Sequence, residues 1–415
     1  VAGYQARVVD DEVGDRLRAA GAVLLEGAKA CGKTGTGRQH AASEVRLDSD
    51  RRARDAATLD PSLVLDGDSP RLLDEWQMVP DLWNAVRRRV DDLGGPGHYI
   101  LTGSATPPED ITRHSGAGRF ARVRMRPMSL FESGASAGSV SLAALAAGEP
   151  ARAGDTGAAL QDVAGWCVRG GWPGSLTLAA ADAHQLVRDY LEQIIRLDVP
   201  GAQSGRDPVR VRRLARSLAQ HISTRASVAT IASDTGGDRP LAEDTVRSYL
   251  DALAHVMIVE DVPAWSPRIR SRSRLRTAPV RTFVDPSLAT AALGVEPQRL
   301  LKEPEFFGLV FESLVVRDIR VYSQRLGGDV FSYRDNTDLE IDIIVEFRDG
   351  RWLACEVKLS PRAIDAAAAT LLRLADRVDT EVMGAPAALV VVTGGGYSYR
   401  RPDGVDVVPI GVLGP

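Results

Sequence analysis

The sequence predicts an α/β protein in three parts: an N-terminal parallel sheet, a helical middle and a second α/β unit at the C-terminus. Three observations predict it. A glycine-rich loop stands between an apolar run and a helical stretch at 27–34. Helical periodicity dominates 208–254. The last third reads helix, three strands, helix, strand, with acids at alternating strand positions. The chain has 415 residues, enough for two or three domains, and the boundaries are set at 1–135, 136–295 and 296–415.

The first element, Ala22-Val-Leu-Leu-Glu26, is a short apolar run and reads as a buried strand. Gly27, Ala28, Lys29, Ala30, Cys31, Gly32, Lys33 and Thr34 follow it, and fit G-x-x-x-x-G-K-[ST] at every fixed position. Glycines let such a loop wrap so that its N–H groups point at phosphates, and the next helix adds its N-terminus. Lys33 is then expected at the β/γ-phosphates of ATP and the Thr34 hydroxyl on Mg²⁺. Pro70-Arg-Leu-Leu-Asp74-Glu75 reads as a strand ending in two acids. Asp74 would hold Mg²⁺ through water, and Glu75 would act as general base on the attacking water. His98–Ser104 is the next strand, and Thr102 or Ser104 would place a polar group near the γ-phosphate. In 113–119, Arg119 is the candidate charge stabiliser, in cis or across a subunit boundary, with Arg113 as the alternative.

These features resemble the AAA-type ATPases of bacteria and archaea whose C-terminal half is a conserved domain of unknown function. The matching residues are the loop, Leu72-Leu-Asp-Glu75, Leu101-Thr-Gly-Ser-Ala105, Gly116-Ala-Gly-Arg119, Arg126-Pro-Met-Ser-Leu-Phe-Glu132, Gly170-Gly-Trp-Pro-Gly174 and Phe311-Glu312. The resemblance covers nearly the whole chain. It implies an ATPase core, a helical and winged-helix middle, and a restriction-endonuclease-like C-terminal domain.

Residues 133–158 are rich in Ala, Gly and Ser and read as a linker or loose helix. Gly170–Gly174 is a rigid turn, and Asp182–Leu197 is a helix of mixed charge. From Pro208 the order is helix, short helix, turn, helix, strand, that of a winged helix-turn-helix. Such a unit either enters a DNA groove or serves as a packing module. Arg268, Arg270, Arg272, Arg274 and Arg276 then fall at every second position. If extended, they share one face and form a phosphate-binding ribbon; the alternative is a solvated loop.

In the last third, Glu305–Val321 is helical, and Asp329–Arg334, Asp338–Phe347 and Arg351–Leu359 are strands. Glu340 and Asp342 share a face of one strand, as do Glu356 and Lys358 of the next. A hairpin through Arg348-Asp-Gly350 would bring the two pairs together. Asp…Glu-x-Lys resembles the core of the PD-(D/E)XK nucleases. That chemistry needs carboxylates to hold Mg²⁺ or Mn²⁺ against a phosphate and a lysine to position water or stabilise charge. Glu312, on the preceding helix, matches the extra acid of that fold. A Glu-x-Lys pair is also common on strand surfaces, worth under ~1 kcal/mol. Such folds either cut or only bind.

Composition bounds the rest. The net charge is −4, so any nucleic-acid surface is a local patch. The three cysteines, Cys31, Cys167 and Cys355, lack paired spacing, which points away from a disulfide or zinc scaffold and to the cytoplasm. No run reaches the ~20 apolar residues of a membrane helix, and residues 1–17 lack the apolar core of a signal peptide. Of 51 basic residues only Lys29, Lys33, Lys302 and Lys358 are lysines. Lys33 and Lys358 fall in the motifs that need a compact ammonium rather than a planar guanidinium. The expectation is an ATP-hydrolysing protein that acts on DNA, with a metal-dependent nuclease site. The rival is a nucleotide switch, with oligomeric state open, whose nuclease-like domain binds DNA or a protein.

Overall fold

The computed structural model describes residues 3–103, 116–152, 154–199, 207–236, 239–267 and 278–415. The chain divides into two compact units. One is Val1–Pro127 with His255–Met257, the other Met128–Ala254 with Ile258–Pro415. Ser104, Arg113 and the arginines 268–276 lie outside the described residues.

The first unit begins with α1 (Val9–Ala19), whose Val9, Val13 and Leu17 stripe is buried at a spacing of four. There follow β1 (Ala22–Glu26), α2 (Lys33–His40), β2 (Ser43–Arg46) and α3 (Arg51–Leu59). After these come β3 (Arg71–Asp74), α4 (Leu82–Leu93), β4 (Tyr99–Gly103) and β5 (Phe120–Arg124). The five strands form one sheet of order β2-β3-β4-β1-β5, and every pairing is parallel. Strands buried on both faces carry near-continuous apolar runs, which is why Ala22–Leu25 and Tyr99–Leu101 show no alternation. Trp76, Trp83 and Leu82 pack with Leu24, Leu73 and Leu101 on one face. The order inserts β4 between the loop-bearing β1 and the acid-bearing β3, and so aligns three strand ends at one edge.

In the second unit β6 (Val140–Ser141), α5 (Leu142–Ala146) and β7 (Gly154–Asp155) occupy the stretch expected to be a linker or loose helix. It is structured because its backbone is used: β6 pairs with β14 (Leu413–Gly414), and β7 with β12 (Tyr397–Arg400). Then come α6 (Leu160–Arg169), α7 (Ala180–Gln193), α8 (Pro208–Gln220), α9 (Val228–Gly236) and α10 (Glu243–His255). The strand expected after α10 is present only as isolated bridges, Val259 with Phe283 and Val262 with Val280. Helices α11 (Pro286–Leu293), α12 (Pro297–Leu300) and α13 (Pro304–Arg325) lead to β8 (Gly328–Arg334), β9 (Glu340–Phe347) and β10 (Trp352–Lys358). The chain continues through α14 (Ile364–Arg377), β11 (Ala388–Thr393), β12 and β13 (Asp406–Pro409). The mixed sheet runs β7-β12-β13-β11-β10-β9-β8.

Helix α13 is the core of this unit and buries even charged residues. Arg317, 3% exposed, donates to Asp285 at 2.9 Å and to Asp318 at 2.7 Å. Asp285 also accepts from the Gly171 N–H, and Asp318 from the Leu130 N–H. The Gly-Gly-Trp-Pro-Gly turn is thereby explained as packing. A Cβ at Gly171 would fall 1.9 Å from the Met128 carbonyl oxygen, and Trp172 donates to Ser287.

Candidate functional site

The loop after β1 takes its shape from residues that bend where others would clash. A Cβ at Gly27 would lie 2.3 Å from the Met125 carbonyl oxygen. Gly32 has φ of 106° and Ala30 of 61°, both left-handed. Lys33 opens α2 and is 5% exposed. Its ammonium lies inside the loop and donates to the carbonyl oxygens of Gly27 and Ala28, each at 2.9 Å. Lys29 is exposed at the loop tip, while Ala28 and Cys31 are buried.

The parallel register sets Asp74 beside Thr102, and Thr102 beside Leu25. The Thr34 hydroxyl donates to Oδ1 of Asp74 at 2.8 Å, and the Thr102 hydroxyl donates to the same oxygen at 2.5 Å. Asp74 is 5% exposed. A buried carboxylate fixed by two hydroxyls beside a phosphate loop suits a Mg²⁺ ion held mostly through water. Glu75 follows with φ 54° and ψ 43°, a left-handed non-glycine that costs of order 1 kcal/mol or more. That turn takes Glu75 out of the strand. The Gln77 amide donates to it.

Arg119 is placed elsewhere. It precedes β5, and its carbonyl accepts from the Ala22 N–H at the start of β1. The loop lies at the other end of β1, about 16 Å away along a five-residue strand. Its guanidinium pairs with Asp91 at 2.6 Å. The cis reading of Arg119 is therefore corrected: it stands on the opposite edge of the sheet from Lys33. Arg7, which sequence reasoning passed over, is 7% exposed and supports the loop, donating to the carbonyls of Cys31 and Arg126. Among so many arginines nothing local marked it.

The second cluster is in the C-terminal sheet. Strands β9 and β10 pair antiparallel, with Cys355 opposite Ile343, so Glu356 comes opposite Asp342. The Asp342 carboxylate accepts from the Val357 N–H at 2.8 Å and from Lys358 Nζ at 3.3 Å. Lys358 Nζ lies 2.7 Å from Glu356 Oε2. Glu356 is 4% exposed, and its Oε1 has no hydrogen-bond partner. Burial, then the charge of Asp342, push its carboxyl up to about 7 against the pull of Lys358. Burial and the charges of Asp342, Glu356 and Glu340 push Glu312 well above the usual carboxylate range, with Lys358 opposing. Burial works to lower Lys358, but Asp342 and Glu356 outweigh it and hold its ammonium above the ordinary range.

Glu340 stands at the rim of this cluster, near enough for its charge to act on Glu312 but without a hydrogen bond to Lys358. It lies half exposed and pairs with Arg225 at 3.2 Å. Among the described residues no three His, Cys, Asp or Glu side chains form a ready metal cage. Asp342 and Glu356 nevertheless fit a hard cation, because Mg²⁺ typically takes one or two carboxylates and fills the rest with water and phosphate oxygens. The unpartnered buried oxygen of Glu356 is the observation in favour.

The first unit joins a five-stranded parallel sheet to a glycine-shaped loop at the end of β1, the pattern the family comparison picks out. Residues 19–133 match the family described as AAA domain. Residues 160–299 and 307–413 match two families described as domains of unknown function, DUF8612 and DUF4143. Two relatives, Uncharacterized protein Rv2008c of Mycobacterium tuberculosis and Uncharacterized protein Mb2031c of Mycobacterium bovis, are each 27% identical over 401 residues. The match spans 95% of this chain and 81% of theirs. A solved structure of a point mutant of RuvB from Thermotoga maritima aligns over 62% of this chain and 87% of that one. It does so at 15% identity and a TM-score of 0.26, too low to bear on the site. Among the described residues no helix is long and apolar enough to cross a membrane.

Proposed function

We propose that the protein hydrolyses ATP at the N-terminal loop and acts on DNA, with Asp342, Glu356 and Lys358 forming a divalent-metal-dependent site for cutting a phosphodiester. The observation that carries the first half is the shared hydrogen bonding of Thr34 and Thr102 to one oxygen of Asp74. It supports Mg²⁺ held by Thr34 and Asp74, which would supply charge neutralisation on the phosphates. Lys33 would exchange two carbonyl partners for phosphate oxygens, and Glu75 would orient and deprotonate water. Thr102 would keep Asp74 aimed.

For the second half, Asp342 and Glu356 would hold Mg²⁺ or Mn²⁺, which would supply a polarised phosphate and a more acidic water. Lys358 would stabilise negative charge on the phosphate oxygens. The order α8, α9, α10 and the bridges flanking 268–277 support a winged-helix reading and a DNA partner. The domain division at 136–295 and 296–415 is kept here as a division of roles within the second unit.

ATP hydrolysis by Lys33→Ala beside the unaltered protein tests the first half. Loss of turnover with an unchanged unfolding midpoint is expected, and full turnover would end the ATPase assignment. One observation favours the rival switch: the Lys358 ammonium fills the gap between its two carboxylates, as in a site that binds without cutting.

A further inference from the structure

A cavity of about 360 Å³ opens beside the carboxylate cluster and shares Asp342 with it. Its walls come from several stretches far apart in sequence. Ser223, Thr224, Arg225 and Val280 supply one side, and Glu312, Ser332, Arg334 and Glu340 are among the residues on the other. The volume is at the small end of ligand pockets, roughly 300–1,000 Å³. It suits one nucleotide unit rather than a duplex.

Arg225 is fixed in this wall. Its side chain is 10% exposed. It donates to the Ala278 carbonyl at 2.9 Å, to the Ser332 hydroxyl at 3.0 Å and to Glu340 at 3.2 Å. The turn that carries it is held in place, since Ser223 takes a left-handed φ of 56° and its hydroxyl donates to the Leu309 carbonyl. Of the three partners, only Glu340 is a charge, and it is 49% exposed. Glu340 is half exposed and can return to water when a phosphate takes its place, while the buried guanidinium keeps an anionic partner throughout. A guanidinium fork matches phosphate oxygens two at a time, which an ammonium does not.

We infer that this cavity binds a single nucleotide of a nucleic-acid strand next to the scissile phosphodiester, and that Arg225 positions its phosphate by exchanging Glu340 for it. The turn between α8 and α9 thus completes a site whose metal ligands lie on β9 and β10. Arg334, 45% exposed and paired with Asp338, lines the same cavity and adds a second cation. The inference rests on reading the C-terminal site as one for phosphodiesters.

The test uses the full chain and two readouts. The first is binding of deoxyadenosine 5′-monophosphate in Ca²⁺, followed by calorimetry. Arg225→Gln should weaken it at least tenfold, and Arg225→Lys should recover only part of the loss. Arg334→Gln should weaken it about threefold, and serves if Arg225→Gln does not fold. The second readout is cleavage of an end-labelled single strand in Mn²⁺, where Arg225→Gln should raise KM at least tenfold with kcat within threefold. No binding by the unaltered protein, or equal binding by all the variants, overturns the inference. Cleavage that needs Glu356 but ignores Arg225 also overturns it and leaves the phosphodiester reading standing. Nucleotide binding that needs Arg225, with no cleavage, sinks the cutting reaction and keeps the pocket.

Discussion

The two candidate sites satisfy their charges in opposite ways. At the N-terminal loop every central group already has a partner: Lys33 has two carbonyls and Asp74 two hydroxyls. At the C-terminal site the carboxylates outnumber the cation. Glu356 keeps a buried oxygen without a partner, and Glu312 and Glu356 are pushed toward the protonated form. At the first site backbone and hydroxyl dipoles hold one cation and one carboxylate, each with its own partners. The second is built from charges that oppose one another until a proton or a cation relieves them. One is preorganised by loop shape, and the other is poised by electrostatics.

Substitutions should separate the two. The largest effect is expected from Glu75→Gln, which removes the proposed general base but leaves the loop. Hydrolysis should fall by about 10²–10⁴-fold with ATP binding retained, as read by turnover beside nucleotide titration. Parallel loss of binding would assign Glu75 to holding the turn instead. Next is Arg317→Ala, which strands Asp285 and Asp318 without their cation. Unpairing such a buried charge costs about 3–5 kcal/mol, visible in urea unfolding. A loss below about 1 kcal/mol would show that water reaches the pair.

A smaller effect is expected from pH. Glu356 titrates near 7 in the folded chain, against ~4.3 when unfolded. The folded form therefore holds the extra proton between those values. Its contribution to stability is complete below about 4.3 and is lost as pH rises through about 7. In chelator, thermal unfolding of the second unit should fall by a few degrees from pH 5 to pH 8, and Glu356→Gln should flatten that slope. An unchanged slope would mean that the carboxylate is paired in solution. The smallest effect is expected from Arg119→Ala in dilute protein, where hydrolysis should stay within about twofold because the residue lies at the far end of β5. A loss that appears only at high protein concentration would place Arg119 at a neighbouring copy's loop.

The same contrast decides what the sequence disclosed. The N-terminal site is nearly contiguous: eight residues in a row carry the loop, and the apolar run before Asp74 marks its strand. What stayed hidden there depends on strand order. Nothing local tells that Thr102 would bond to Asp74, or that Arg119 would stand at the opposite edge. The hairpin that pairs Asp342 with Glu356 was legible because alternation and one turn fix its register. Arg225 was not, since its approach to Glu340 spans the chain from α8 to β9. The stretch 133–158, read as a linker or loose helix, does carry a short helix, but its backbone also supplies strands to partners more than 200 residues later, which its small residues did not disclose. Glycine and alanine permit a close approach that composition alone does not announce.

The most direct measurement is DNA cleavage by the purified chain in Mg²⁺ or Mn²⁺, with and without ATP, beside Glu356→Ala and Lys358→Ala. Cleavage by the unaltered protein that is lost in both variants, with ATP hydrolysis intact in each, is the predicted result. Absence of cleavage with hydrolysis intact would contradict it, and would leave an ATPase whose C-terminal carboxylates bind rather than cut.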